Sequence, residues 1–407
     1  MPKQTVAVIL TAAFLLSGCW NANELTDVYI ISAVGIDKTE AAQYQLSFQI
    51  INAGEVAVGQ EGSARNAATT VVYTSTGNTI FEAIRKMAMQ LPRKIYFPHT
   101  SLILISEQFA KEDGIEKAMD WFERDAEFRT YVQVLIARGD TAESILKVQS
   151  PVERIAAKNI ADQLETTESV WGEYHASGID DIIRDLVNKG KEVTLSGVQL
   201  SGDQEEGQTM ENIQDASPVA RVRLSGLAIF KNGALARWLD GPEARGRNWI
   251  TGDIESTVIS LPCSHHQTEW IAIEVIRAKA KVQSKLEANN PAIDVVISLE
   301  GNIGEVNCPM DITISDNIFQ LEKQLAKEIR KEVMNAITIA QDEKADIFGF
   351  GNVMQRQHPK YWKQAEAEWS DIFSSIDVNV DVRAYIRRTG MRTNSFFEEA
   401  KKHKSTE

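Results

Sequence analysis

The chain has 407 residues, enough for about two to three domains. Apolar residues make up 43% and charged residues 25%, with only 10 prolines, which excludes a disordered or collagen-like chain. No apolar run reaches the roughly 20 residues that span a bilayer, and a formal charge of −14 repels phosphate backbones, so a multi-pass transporter and a nucleic-acid binder are excluded too.

The N-terminus reads as a secretory signal. Lys3 supplies the positive start, Val6 to Leu16 the apolar run, and Ser17, Gly18 and Cys19 the small-residue exit. Leu16-Ser17-Gly18-Cys19 resembles a bacterial lipobox. The resemblance implies cleavage before Cys19 and a diacylglyceryl thioether on its sulfur. Residues 1–18 are then the signal and 19–23 the tether. Two or more acyl chains anchor stably where one does not. An incidental cysteine in an ordinary signal is the plainer alternative. Either way Cys263 and Cys308 face a space that permits a disulfide, and they form one or remain two thiols.

From about Glu24 the chain reads as mixed sheet and helix. Val28 to Ile36 is a mostly buried strand, and Tyr44 to Ile50 alternates as a half-buried one, so the two form a hairpin. Residues 54–66 form a glycine-bearing loop. Thr69 to Thr74 is a strand, and Thr79 opens a helix to Gln90 that Pro92 stops. Strands at Ser101–Ser106, Tyr131–Ala137 and Thr194–Leu200 alternate with helices at Gly114–Glu123, Thr141–Val148 and, with interruptions, Pro151–Lys189. Residues 201–217 are polar and without period. They are a linker between domains 24–200 and 218–268 or an exposed excursion within one.

Asn232-Gly233 marks a hairpin of Gly226–Phe230 with Leu235–Leu239. Residues 241–248 are glycine-rich and charged, within a β-rich region, 218–268. Ile254 to Ser260 is a strand. Trp270 to Val282 alternates with a phase shift near Ile276 that a bulge explains, and Ile293 to Leu299 returns beside it. Ile318, Leu321, Leu325, Ile329, Val333 and Ile337 define a long amphipathic helix that Ser315 or Asp316 caps. Ile376 to Ile386 is a terminal strand, and 391–407 a charged tail. The class is α+β or mixed α/β, multi-domain, with mixed sheets packed with helices, and 269–390 as its last domain.

Catalytic patterns are missing. There is no nucleophile elbow, Walker loop or dinucleotide fingerprint. Gly349-Phe350-Gly351 lacks the lysine of a phosphate loop and follows a helix. His265-His266 beside Cys263 reads as a polar loop rather than a metal site, because neighbours in a strand face opposite ways. The cluster Phe348, Phe350, Tyr361, Trp362, Trp369 and Phe373 reads as core, with Trp362, Trp369 and Phe373 at helical spacing. A buried Phe350 marks core, and a wetted one a contact surface. No cofactor or metal is expected.

Three groups of residues carry a family resemblance. They are Cys19-Trp20 with Glu24-Leu25 and Gly35-Ile36-Asp37; Gly226 to Phe230 with Leu239, Glu243, Gly246, Asn248 and Trp249; and Asp346 to Gly351 with Pro359, Trp362, Trp369 and Phe373. Together they resemble the Ger(x)C family of spore germination lipoproteins, the C subunits of nutrient germinant receptors. One departure is Asn21-Ala22-Asn23, where the family often carries charge. The resemblance implies a lipid-anchored, non-catalytic subunit on the outer face of the spore inner membrane. It implies partnership with integral membrane A-type and permease-like B-type subunits. Glu24, Asn248, Trp249, Asp346, Gly349, Phe350, Gly351 and Trp362 are its candidate fold or interface positions. Two other readings are a tethered protein that captures the nutrient itself, with Trp249 and Phe348 to Trp369 as pocket, and a cell-envelope hydrolase.

Overall fold

Two β-sheets, each packed with helices, organise the chain. The computed structural model describes residues 27–52, 68–153, 155–263, 266–308 and 310–388. The signal, Cys19, Glu24, the 54–66 loop, His265 and the 391–407 tail lie outside the described residues.

The first sheet has nine strands in the order β3-β2-β1-β5-β6-β7-β8-β9, with β4 beside β1. These are β1 (Val28–Lys38), β2 (Tyr44–Ile51), β3 (Thr70–Gly77), β4 (Lys94–Tyr96), β5 (Leu102–Ser106), β6 (Gln133–Ala137), β7 (Thr194–Ser201), β8 (Arg221–Lys231) and β9 (Ala234–Leu239). A parallel centre of β1, β5, β6 and β7 is flanked by antiparallel strands. Parallel strands need cover on both faces. The covering helices are α1 (Ile80–Lys86), α2 (Glu107–Glu112), α3 (Glu116–Arg124), α4 (Ala142–Lys147), α5 (Ala156–Val170) and α6 (Ile179–Leu186). α4 and α5 take one face, and the others take the opposite one. Helix starts follow capping chemistry: Thr79, Ser106 and Thr141 accept from the backbone N–H three residues on.

Cover on both faces also corrects the half-buried reading of β2. Ser47 and Gln49 are as buried as Leu46 and Phe48. Gln49 is tolerated because its amide is satisfied: Oε1 accepts from Ser32 Oγ (2.8 Å) and the Ala157 N–H (3.2 Å), and Nε2 donates to the Leu146 carbonyl (2.7 Å).

Residues 201–217 join two neighbouring strands of one sheet, since β7 pairs with β8. They carry two single-turn helices, α7 (Gln204–Gly207) and α8 (Glu211–Gln214). β8 and β9 form the expected hairpin, with Asn232 and Gly233 both at positive φ (50° and 77°).

The second sheet runs β10 (Thr257–Cys263), β11 (His266–Glu287), β12 (Asn290–Val306), β13 (Asp377–Arg388), the last joining in parallel. Residues 218–268 are therefore divided between the sheets. The bulge is present as a register slip between Val275 and Arg277, which turns Ile276 outward. Between the two sheets the chain forms α9 (Pro242–Thr251), and β12 reaches β13 through α10 (Ser315–Asp342), α11 (Phe350–Gln357), α12 (Pro359–Ala365) and α13 (Trp369–Ser375). Trp362 and Trp369 thus sit on separate helices rather than one. α10 buries Leu321, Leu325, Ile329, Val333 and Ile337. Neither Ser315 nor Asp316 caps it, because the helix is already wound there and Ile314 holds the cap position without a side-chain bond.

Cys263 and Cys308 are disulfide-bonded, with Cα atoms 6.5 Å apart across a sequence separation of 45. The bond ties the end of β10 to the segment after β12, the two strands that flank β11. Closing a loop of that length restricts the unfolded chain, so the Cys263→Ser/Cys308→Ser double variant should lose about 2–4 kcal/mol in denaturant melts. Equal midpoints with and without a reductant would contradict this.

Candidate functional site

The candidate positions meet where the two sheets join. α9 lies at this seam. Gly241 turns at φ 51° and Pro242 opens the helix, where its missing N–H costs nothing. The glycine-rich, charged stretch in the β-rich reading of 218–268 is therefore a helix. Its sequence shows no apolar stripe because Ala244 to Ile250 are all buried, so it needs no solvent face. Gly246 sits at its closest crossing with α10: a Cβ there would stand 2.3 Å from the Glu332 carbonyl oxygen.

Glu332 is the buried centre of that crossing. Arg245 grips it bidentately, Nε to Oε2 at 3.0 Å and Nη2 to Oε1 at 2.5 Å, and Trp249 Nε1 donates to Oε2 at 2.9 Å. Burial works against the Arg245 charge, but Glu332 restores it and holds the guanidinium pKa up. Glu173 stands 3.6 Å from Arg245 Nη1, and burial pushes its carboxyl up. Asn248 is fully buried and bridges to the first sheet's side. Its Nδ2 donates to the carbonyls of Gly172 (2.9 Å) and Tyr174 (3.3 Å), and Thr257 Oγ1 donates to that of Trp171 (2.7 Å).

The Asp346–Gly351 motif forms the second half of the seam. Asp346 Oδ1 accepts from the N–H groups of Phe348, Gly349 and Phe350 at 3.2, 2.9 and 3.1 Å, and Oδ2 from Gly351 N–H (2.8 Å) and Trp369 Nε1 (2.9 Å). Gly349 supplies the left-handed turn, φ 76°. Burial pushes the Asp346 carboxyl up, against the donors that favour its charge. The glycine loop is thus an anion cradle after all, and its anion is the chain's own side chain. The Asp346 carbonyl in turn accepts from Glu192 N–H (2.8 Å) on the first sheet's side. Gly351 lets the two halves touch, since a Cβ there would lie 2.5 Å from Gly190 Cα.

The aromatic cluster is core. Phe350 is fully buried and stacks on Phe348 at 5.0 Å, while Trp362 meets Trp369 edge-on at 5.2 Å. Lys231 at the end of β8 bridges the seam from outside, reaching Glu192 Oε1 (2.8 Å), the Lys344 carbonyl (2.7 Å) and Ser370 Oγ (2.5 Å).

Beside the seam lies a polar cleft of about 500 Å³, lined from the first sheet's side by α6 and residues 191–194 and from the other by α9, α11 and β11. Arg247 pairs there with Asp253, and His175 Nδ1 lies 2.9 Å from Glu168 and 3.7 Å from Asp253. Burial alone would raise Asp253, but the charges of Arg247 and His175 hold it below the usual carboxylate range.

Asn248, Trp249, Asp346, Gly349, Phe350, Gly351 and Trp362 therefore converge on one joint, whereas Cys19 and Glu24 lie outside the described residues. Sequence reasoning missed Arg245, Arg247, Glu332, Glu192 and Gly190. Glu332 carried a signal: it lies three residues after Ile329 and four before Ala336, on the apolar face of α10. Among the described residues no group of three or more His, Cys, Asp or Glu side chains is placed to hold a metal ion, and no helix is long and apolar enough to cross a membrane.

Two helix-covered sheets locked through buried charge and glycine contacts define a multi-domain α/β protein whose marked residues serve its own joint. The crystal structure of the GerBC protein shares this fold, with a TM-score of 0.53 over 87% of this chain and 96% of that one, at 19% identity. The chain belongs to the GerAC family of spore germination proteins: residues 21–200 match the spore germination protein N-terminal domain, and residues 225–390 the spore germination B3/GerAC-like C-terminal domain. It is 35% identical over 390 residues to spore germination protein KC of Bacillus subtilis (strain 168), covering 95% of this chain and 96% of that one. It is 23% identical to spore germination protein B3 of the same organism, over 92% and 95%.

Proposed function

We propose that this chain is the lipid-anchored, non-catalytic subunit of a nutrient germinant receptor, held on the outer face of the spore inner membrane. It supports assembly and signalling with two integral membrane subunits. The observation that carries the reading is the family match along both domains, joined to the use of the family-pattern residues within the seam. Such a body behaves as one piece and transmits position rather than chemistry. The lipobox at Cys19 supports the anchor, and the Cys263–Cys308 disulfide supports an oxidising compartment. The nutrient-capture alternative is weakened at the residues that suggested it. The indole N–H groups of Trp249 and Trp369 already donate to Glu332 and Asp346.

Replacing Cys19 with Ala tests the anchor. The variant should keep its far-ultraviolet circular dichroism, fall on the order of tenfold in washed membranes, and slow nutrient germination. Full retention with normal germination would count against the tether.

A further inference from the structure

We infer that the polar cleft between the two sheets binds a small anion of metabolite size, bearing carboxylate or phosphate groups. This stands independently of the receptor reading. Arg247 would recognise the anion from the buried end and Arg356 from the mouth.

Three observations point there together. First, the cleft has the size of a ligand pocket, about 500 Å³, and its walls come from both halves of the molecule. Second, its charge departs from that of the chain. Arg184, Lys191, Arg247 and Arg356 face Asp181, Asp185 and Asp253, a single positive excess in a protein of formal charge −14. Third, one of the four cations keeps a buried donor without a partner, and another has no ion-pair partner among the described residues. The Arg247 side chain is 2% exposed. Its Nη1 serves Asn248 Oδ1 and Asp253, but its Nε–H is buried without an acceptor. A guanidinium has five N–H donors and no acceptor of its own, and a buried donor without a partner is costly. Arg356 is exposed, and no acid or acceptor among the described residues pairs with it. By contrast Arg184 is taken by Asp181, and Lys191 by Asp185 at 2.7 Å.

An anion also fits better than a cation. The acids of the cleft are already neutralised by these partners, so a cation would have to displace an arginine or lysine. An anion needs only the unused N–H groups, and Ser177, Thr194 and Asn352 add polar side chains along the wall. Forked guanidinium contacts to carboxylate and phosphate are among the strongest charge-assisted hydrogen bonds.

The test is calorimetric titration of the full chain in detergent with inorganic phosphate and, separately, with citrate, at an ionic strength fixed by sodium chloride. At least one probe should bind saturably at one per chain. Saturation by phosphate alone assigns a phosphate-bearing ligand, and by citrate alone a carboxylate-bearing one. Arg356→Ala, an exposed change that leaves the fold intact, should weaken binding by about tenfold. Arg247→Lys, which keeps the charge and loses the fork, should weaken it as well, with its melting temperature recorded alongside. Lys331→Ala, an exposed change on α10 in a pair with Glu328, should change nothing. Absence of saturation by either probe up to about 10 mM, or equal affinity in wild type and Arg356→Ala, would overturn the inference.

Discussion

Asp346→Ala is expected to cost about 4 kcal/mol or more and to leave the second sheet's helices poorly packed against the first sheet. The carboxylate is the acceptor for five N–H donors, four from the backbone of residues 348–351 and one from Trp369. Without it, donors in a fully buried turn lose their partners. Solvent cannot replace it, because Phe348, Phe350, Trp362 and Trp369 close over the site. Asp346→Asn separates charge from shape. Its amide oxygen still accepts, but its NH₂ faces N–H donors, so a loss of about half that size is expected. Chemical denaturation followed by tryptophan fluorescence measures both. A melt of Asp346→Ala within about 0.5 kcal/mol of wild type would show that the turn holds itself.

Glu332→Ala should cost about 3–5 kcal/mol, the penalty for leaving a buried partner charge uncompensated. Arg245 keeps Glu173, at 3.6 Å, as its ion-pair partner among the described residues, and the Trp249 indole N–H loses its acceptor. The ion pair need not be stabilising in itself, since desolvating two charges offsets much of their attraction. A double variant, Arg245→Met/Glu332→Met, separates these effects. It should recover most of the loss, because two apolar side chains leave no buried charge behind. Equal losses in the single and double variants would mean that the crossing depends on the charges themselves.

Much of the fold was legible, and the failures have physical reasons. The β8–β9 hairpin was readable because Asn232-Gly233 is one of few pairs that accept positive φ together. α10 was readable because one face meets the core and the other meets water. α9 was not, since a helix buried on nearly every side loses its period, and its glycines, of which Gly246 permits a helix crossing, give no helical signal. β2 reads as half-buried because Ser47 and Gln49 are polar, and nothing local announces that Ser32, Leu146 and Ala157 will satisfy Gln49. The family-pattern residues are legible one by one. Their convergence on one seam depends on partners distant in the chain, such as Glu192 for the Asp346 carbonyl and Glu332 for Trp249. The disulfide is not legible in the sequence, because Cys263 and Cys308 meet once β10 to β12 are in register.

The most direct test of the account is purification of this chain from detergent-solubilised spore inner membranes, with chemical crosslinks mapped by mass spectrometry. The account predicts that two integral membrane proteins come with it, that Cys19 is the lipid-modified first residue, and that crosslinks within the chain span the seam between its two sheets. A chain recovered alone with an unmodified Cys19, and with no crosslink to a membrane protein, would contradict it.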